Sequence, residues 1–286
     1  MQANHVAREA PSRVVVLAGR HESGKTTIIT SLFESFLDAP FGGFLFAGSR
    51  TLVGFERRCH HARPVSGRDS AHTPHTQVDA TEFLHLKLSP SGDVAGAANN
   101  LLLSDISGER FRALRDSSEA VKEMALLKRA DHLCMVLDCE RLANPALRQS
   151  VRFDARMLLR SIIEAQVLAR ECKIDVVFAK WDLVLAHADR ADVEAFAADT
   201  EATMRTTIGQ AFECRVFRIA ARPTTETVPF AFGLPTLLQY WLETPLLEER
   251  PRLYLPKVTE LTREPARFVA SVTRVDVEAS FDVRWI

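Results

Sequence analysis

Eight consecutive residues carry the strongest chemical signal in the chain. Gly19-Arg20-His21-Glu22-Ser23-Gly24-Lys25-Thr26 spells G-x-x-x-x-G-K-T. The two glycines let the main chain wrap closely enough for successive N–H groups to face phosphate oxygens. His21, Glu22, Ser23 and Thr27 add main-chain donors to that wrap. Lys25 brings a positive charge to the outer phosphates, and the Thr26 hydroxyl suits a magnesium ion. A following helix would add the positive end of its dipole. His21 is bulky for its place and would crowd the terminal phosphate, which predicts slow hydrolysis.

Three further groups lie downstream, each just after an apolar run. Asp105-Ile106-Ser107-Gly108 puts an acid where it could hold Mg²⁺, and a glycine whose N–H could meet the terminal phosphate. Ala179-Lys180-Trp181-Asp182 puts a carboxylate where it could accept two hydrogen bonds from guanine N1–H and the 2-amino group, which adenine cannot offer. The Lys180 stem could lie flat on the base. After the last run, Ala221 could present its N–H to the guanine O6. Standing alone, D-x-x-G and K-x-D are common turn patterns; their order after the phosphate loop gives them meaning.

These groups need a scaffold that brings strand ends together. Residues 13–19 form a continuous β-branched run of the buried-strand type, and 25–37 carry helical spacing at Ile28, Leu32 and Phe36. Strands are expected at 83–88, 101–105, 132–138, 174–180 and 215–220. Helices are expected over 109–129 (one or two), 145–171, 191–212 and 234–242. Residues 41–55 are aromatic and glycine-rich and fit no element class, and 60–79 read as a long polar loop. Alternating strands and helices predict an α/β fold with a mostly parallel sheet covered on both faces, with ligands at the carboxyl ends of its strands. Past Pro245, prolines mark a shift in composition, and 275–285 alternate apolar and polar residues from Val275 to Trp285. That pattern predicts a half-buried strand, closing on its own domain or pairing with a partner's sheet edge. The domain division expected is 1–11 as a flexible N-terminus, 12–244 as the nucleotide-binding domain and 245–286 as a small β-rich extension.

Composition narrows the function classes. The 286 residues are 47% apolar and 26% charged, with 36 Lys plus Arg against 37 Asp plus Glu, so no global basic field is present to hold nucleic acid. No run approaches the roughly 18 apolar residues of a membrane span, and the first residues show no signal-peptide pattern. Five scattered cysteines suit the reduced thiols of a cytoplasm, which is the expected location. Cys59, His60, His61, His72 and His75 invite a metal reading, but their spacing matches no closed zinc pattern and loop histidines are the plainer account.

The order G-x-x-x-x-G-K-T, D-x-x-G, A-K-x-D, A-A-R resembles the Ras/Rab-like branch of P-loop GTPases over roughly residues 13–242. The stretches FAGSRTLVGFE (46–56) and LLLSDISGERF (101–111) look more like the bacterial double-GTPase domains of multi-component conflict or signalling systems. The resemblance implies a P-loop three-layer sandwich, GTP/GDP as ligand, Mg²⁺ as cofactor, and a protein effector or activating partner. It carries roles to Gly19, Gly24, Lys25, Thr26, Asp105, Gly108, Lys180 and Asp182. Glu109 stands where the family has its water-positioning glutamine. A first-switch threonine on Mg²⁺ is assigned to Thr76, with Thr51, Thr73 and Thr81 as alternatives. Ala179 departs from the family's Asn or Thr, removing a tether to the phosphate loop. Arg20, Arg110, Arg112 and Arg152 are placed to act as an activating arginine but read more simply as surface or supporting residues. Two further functions stay open: a nucleotide-binding scaffold with little hydrolysis, and an ATP-using kinase or ATPase that the K-x-D placement disfavours.

Overall fold

A computed structural model describes residues 12–62, 83–92, 98–104 and 107–243. The two terminal divisions expected from the sequence, including the alternating segment 275–285, lie outside the described residues. Seven strands form one sheet in the order β2-β3-β4-β1-β5-β6-β7. They are β1 (Ser12–Ala18), β2 (Phe44–Gly48), β3 (Phe83–Pro90), β4 (Asn99–Ser104), β5 (His132–Asp138), β6 (Lys173–Ala179) and β7 (Cys214–Ile219). β4, β1, β5, β6 and β7 pair in parallel. β3 is antiparallel to both of its neighbours.

The central strands β1 and β5 are buried along their whole length because both faces are covered there, whereas the outer strands β2 and β7 are partly exposed. Along β1, Val14, Val16 and Ala18 join one buried cluster while Val15 and Leu17 join the other. The first face is covered by α7 (Arg148–Glu164) and α9 (Arg190–Ile208), with α3 (Gly108–Asp116), α4 (Ser118–Glu123) and α5 (Ala125–Arg129) beside them. The second face is covered by α1 (Lys25–Asp38), α2 (Leu52–Ala62) and α10 (Leu234–Glu243). On it Phe33 stacks on Phe55 with ring centroids 4.6 Å apart. Each such buried side chain contributes about 2 kcal/mol relative to exposure. Two five-residue helices, α6 (Cys139–Ala143) and α8 (Trp181–Leu185), follow β5 and β6 directly.

Several boundaries differ from expectation for identifiable reasons. The helix expected over 145–171 ends at Glu164, and Gln166 leaves it at φ 54°. The one or two helices expected over 109–129 are three: the Ser117 side chain accepts from Ala120 N to start α4, and Met124 separates α4 from α5. The unclassified stretch 41–55 holds β2 and the start of α2. Gly42 and Gly43 both have positive φ (59° and 84°), closing a tight turn in which Phe41 and Phe44 exchange main-chain hydrogen bonds. Only glycine takes two successive positive φ values cheaply. β2 then bulges between Phe46 and Gly48 against β3.

Candidate functional site

The phosphate loop runs from the end of β1 to the start of α1, and its geometry explains its residue types. A Cβ on Gly19 would lie 2.5 Å from Val136 O and 2.8 Å from Ser23 Oγ, so any larger residue would push the loop off β5. Gly24 sits at φ 96°, the left-handed region, immediately before α1. Its carbonyl accepts from Ile28 N at 2.9 Å, opening the helix. The Lys25 ammonium donates to Gly19 O (3.0 Å) and Arg20 O (2.7 Å), so the lysine braces the loop from within. Ser23 is buried and its Oγ has no hydrogen-bond partner among the described residues. A wrapped loop with a lysine behind it and main-chain N–H groups leading into a helix fits an anionic polyphosphate. His21 is half-buried on this loop and Glu22, at φ 63°, is exposed. Thr26 and Thr27 are half-buried in the first turn of α1.

Gly108 opens α3 directly against this loop. A Cβ there would lie 2.2 Å from His21 N and 2.5 Å from Arg20 C, both main-chain atoms that cannot swing aside. Ser107 caps the helix, accepting from Arg110 N at 3.3 Å. Asp105, Thr76 and the side chain of Glu109 lie outside the described residues. Of the alternative threonines, Thr51 is buried and its hydroxyl accepts from His85 N at 2.8 Å, which ties α2 to β3. Cys59 lies in the core beside α1, while His72 and His75 and the side chains of His60 and His61 lie outside the described residues.

The opposite end of the cleft is built from the ends of β5, β6 and β7. Register places Asp138 beside Ala179 and Ala179 beside Ile219, so the loops after these strands emerge together. Lys180 takes a left-handed conformation (φ 59°, ψ 39°) that turns the chain straight into α8. Its ammonium lies 3.1 Å from Asp138 Oδ1 and 2.7 Å from Glu140 Oε2. Burial opposes the charge on Lys180, but the Glu140 and Asp138 carboxylates more than offset it and hold its pKa above the ordinary value of 10.5. Asp182 is 3% exposed, and its Oδ2 accepts from Thr224 N (3.0 Å) and Thr224 Oγ1 (3.2 Å). Its Oδ1 accepts no hydrogen bond among the described residues. Ala221 is buried in the same loop as Thr224, and its carbonyl accepts from Ala231 N at 3.2 Å. The next residue, Arg222, pairs with Glu34 on α1. Ala179 is 3% exposed, and a Cβ on Gly24 would meet its Cβ at 3.5 Å. The side chain that faces Gly24 from the far end of the cleft is thus a methyl group, which offers no hydrogen bond.

Sequence reasoning missed Thr224 and the Asp138–Glu140 pair around Lys180. Asp138 ends a buried strand beside the phosphate loop, a signal that was there to use; Thr224 had none. Of the candidate arginines, Arg20 and Arg152 form ion pairs with Asp154 and Asp199. Arg112 is exposed, and Arg110 lies in the first turn of α3.

A mostly parallel sheet with a phosphate loop between its central strand and first helix, and a K-x-D turn two strands away, defines a P-loop GTPase fold. The chain belongs to the Double-GTPase 2 family, whose model matches residues 13–242. Among solved structures it is similar to translation elongation factor SelB from Methanococcus maripaludis, a complex with the GTP analogue GppNHp. The identity is 13% and the TM-score 0.42, over 82% of this chain and 34% of that one. The chain thus spans about a third of the length of that structure. No curated protein matches the chain. None of the described helices is long and apolar enough to cross a membrane.

Proposed function

We propose that this chain binds GTP and GDP and hydrolyses GTP slowly, acting as a partner-dependent switch in a multi-component bacterial system. The observation that carries the reading is the convergence of a lysine-braced phosphate loop and a buried, Thr224-held carboxylate at one end of one sheet. Gly19 through Thr27 would take the polyphosphate, Asp182 and the Ala221 N–H would read guanine, and the Lys180 stem would cover the base. Thr26, Asp105 and Thr76 would hold Mg²⁺, which neutralises charge on the phosphate oxygens when bound. Water held by Glu109 would attack the terminal phosphorus in line, with GDP leaving. Lys25 and the loop N–H groups would offset the charge that develops. Gly108 would sense the terminal phosphate, and an effector protein would read the resulting position of α3. No contact with nucleic acid is part of this reading.

The test is a titration of fluorescent GTP, GDP and ATP analogues against wild type, Lys25→Ala and Asp182→Ala. Wild type should prefer guanine nucleotides. Lys25→Ala should weaken GTP binding about 100-fold, the loss of a charged contact with several phosphate oxygens. Equal binding of ATP and GTP by wild type would sink the base assignment.

A scaffold that binds nucleotide without hydrolysing it is favoured by one feature, the methyl side chain of Ala179 facing Gly24 where a tethering side chain would join the two halves of the site. Single-turnover hydrolysis with and without co-purified partners separates the two. Phosphate release under neither condition would select the scaffold.

A further inference from the structure

Beneath the phosphate loop, one carboxylate is shared by two arginines from different elements. Asp154 on α7 accepts from Arg20 of the loop through Oδ2 and from Arg115 of α3 through Oδ1, the latter at 2.6 Å. The three side chains are 30%, 21% and 25% exposed for Arg20, Asp154 and Arg115, and they border one small cleft. Met135, Leu137, Val151 and Leu158 line its apolar part. Apolar walls and partial burial strengthen such charge pairs relative to pairs in open water.

The element joined to the loop in this way is also seated on α7. In α3, Leu114 is the one apolar side chain buried among the described residues, and its carbonyl accepts from Ser161 Oγ of α7 at 2.9 Å. At its start, Gly108 rests on the main chain of Arg20 and His21. Arg20 is therefore gripped twice: its main chain lies under Gly108, and its guanidinium shares Asp154 with Arg115.

We propose that Asp154 is a positioning residue that couples the phosphate loop to α3, so that the seat of α3 and a terminal phosphate favour each other. This rests on the reading that the site takes GTP and GDP. A triphosphate needs Gly108 close to the loop to meet its last phosphate, and a diphosphate has no use for it. The Arg20–Asp154–Arg115 bridge holds α3 at that distance and so favours the triphosphate form selectively. Asp154 touches neither nucleotide nor reacting atoms; it acts through Arg20 and Arg115.

The experiment measures dissociation constants for fluorescent GDP and for a non-hydrolysable GTP analogue with the full chain. The proteins are wild type, Asp154→Asn, Arg115→Met and the double variant. The quantity read is the analogue constant divided by the GDP constant. Asp154→Asn should raise that ratio at least fivefold, a coupling of ordinary size between two sites. Arg115→Met should raise it too, and the double variant no further than the larger single effect, because both substitutions break one bridge. A merely structural role would weaken both nucleotides alike. A ratio within twofold of wild type, a fall in the ratio, or additive single effects would each overturn the proposal. If Asp154→Asn does not fold, Arg115→Met decides the matter alone. Wild type that binds neither nucleotide would sink the GTP reading and this coupling together; wild type that binds both, with the ratio unchanged in the variants, would sink only the coupling.

Discussion

Asp175 and Asp182 flank the same stretch of chain, one near the amino end of β6 and the other just past its carboxyl end, and both are at most 3% exposed. Asp175 Oδ2 accepts three donors from the core: Trp241 Nε1 at 2.9 Å, His132 Nδ1 at 3.1 Å and Cys134 Sγ at 3.1 Å. Its Oδ1 is sealed without a partner among the described residues. Asp182 is held by a single residue, Thr224, which comes from a loop rather than from the sheet or a covering helix. Burial is nearly equal, so burial does not distinguish the roles. The source of the donors does: Asp175 is locked by β5 and α10, whereas Asp182 is steadied on one oxygen by a loop at the ligand end of the sheet. A buried acid of the first kind fixes a helix to a sheet, and one of the second kind can recognise something that arrives later.

Substitutions can break that contrast, beginning with the largest effect. Asp182→Ala should cost about 4 kcal/mol of preference for guanine over adenine nucleotides, roughly a thousandfold, because a site that pairs with polar edges discriminates strongly. Competition binding with GTP and ATP checks it, and the melting temperature should move little. Asp175→Ala should behave in the opposite way. It strands the buried donors of His132 and Trp241 and should lower stability by about 3 kcal/mol, read by urea unfolding, while the folded fraction keeps its guanine preference. Thr224→Val removes the hydroxyl donor but keeps the N–H, so guanine preference should fall about fivefold to tenfold, close to the worth of one ordinary hydrogen bond.

The smallest effect lies at neither acid and serves as a control on β3, one strand in from the edge of the sheet. His85 is buried on β3, with Nδ1 accepting from Arg50 N at 3.1 Å and Nε2 facing Asn100 Oδ1 at 2.9 Å. Burial is the main cause that lowers its pKa below the ordinary 6.5, with Arg50 and Lys87 adding to it against the hydrogen bond to Asn100. The unfolded chain therefore takes this proton first. The stabilising contribution is complete above pH 6.5 and is lost as pH falls below it. Unfolding free energy should fall as the pH drops below 6.5, a slope that His85→Gln flattens.

What could be read from the sequence was whatever has a local pattern. Strand β5 matches the expected 132–138 and α1 extends the expected 25–37 by one residue, because a buried run and an amphipathic period are properties of neighbours in the chain. The helices α6 and α8 were invisible, since five residues make too little of a period; each is made by its flank, Asp138 capping one and left-handed Lys180 turning into the other. Val167 and Leu168 continued the apolar pattern past Glu164 because they are buried beyond the helix end. The phosphate loop was legible since its glycines serve the main chain directly. Thr224 and Asp154 were not, because their partners lie 42 and 134 residues away and no spacing rule connects them.

The turn at Gly42 and Gly43 has a consequence for the outer rim of the sheet. Phe41 already occupies the main-chain groups of Phe44 that a newcomer would need, and the bulge at 46–48 breaks the line a residue or two further on. A second molecule finds no straight template there on which to lay a strand. At β2, copies of this protein meet a bent and partly satisfied edge, with Phe46 partly bare beside it.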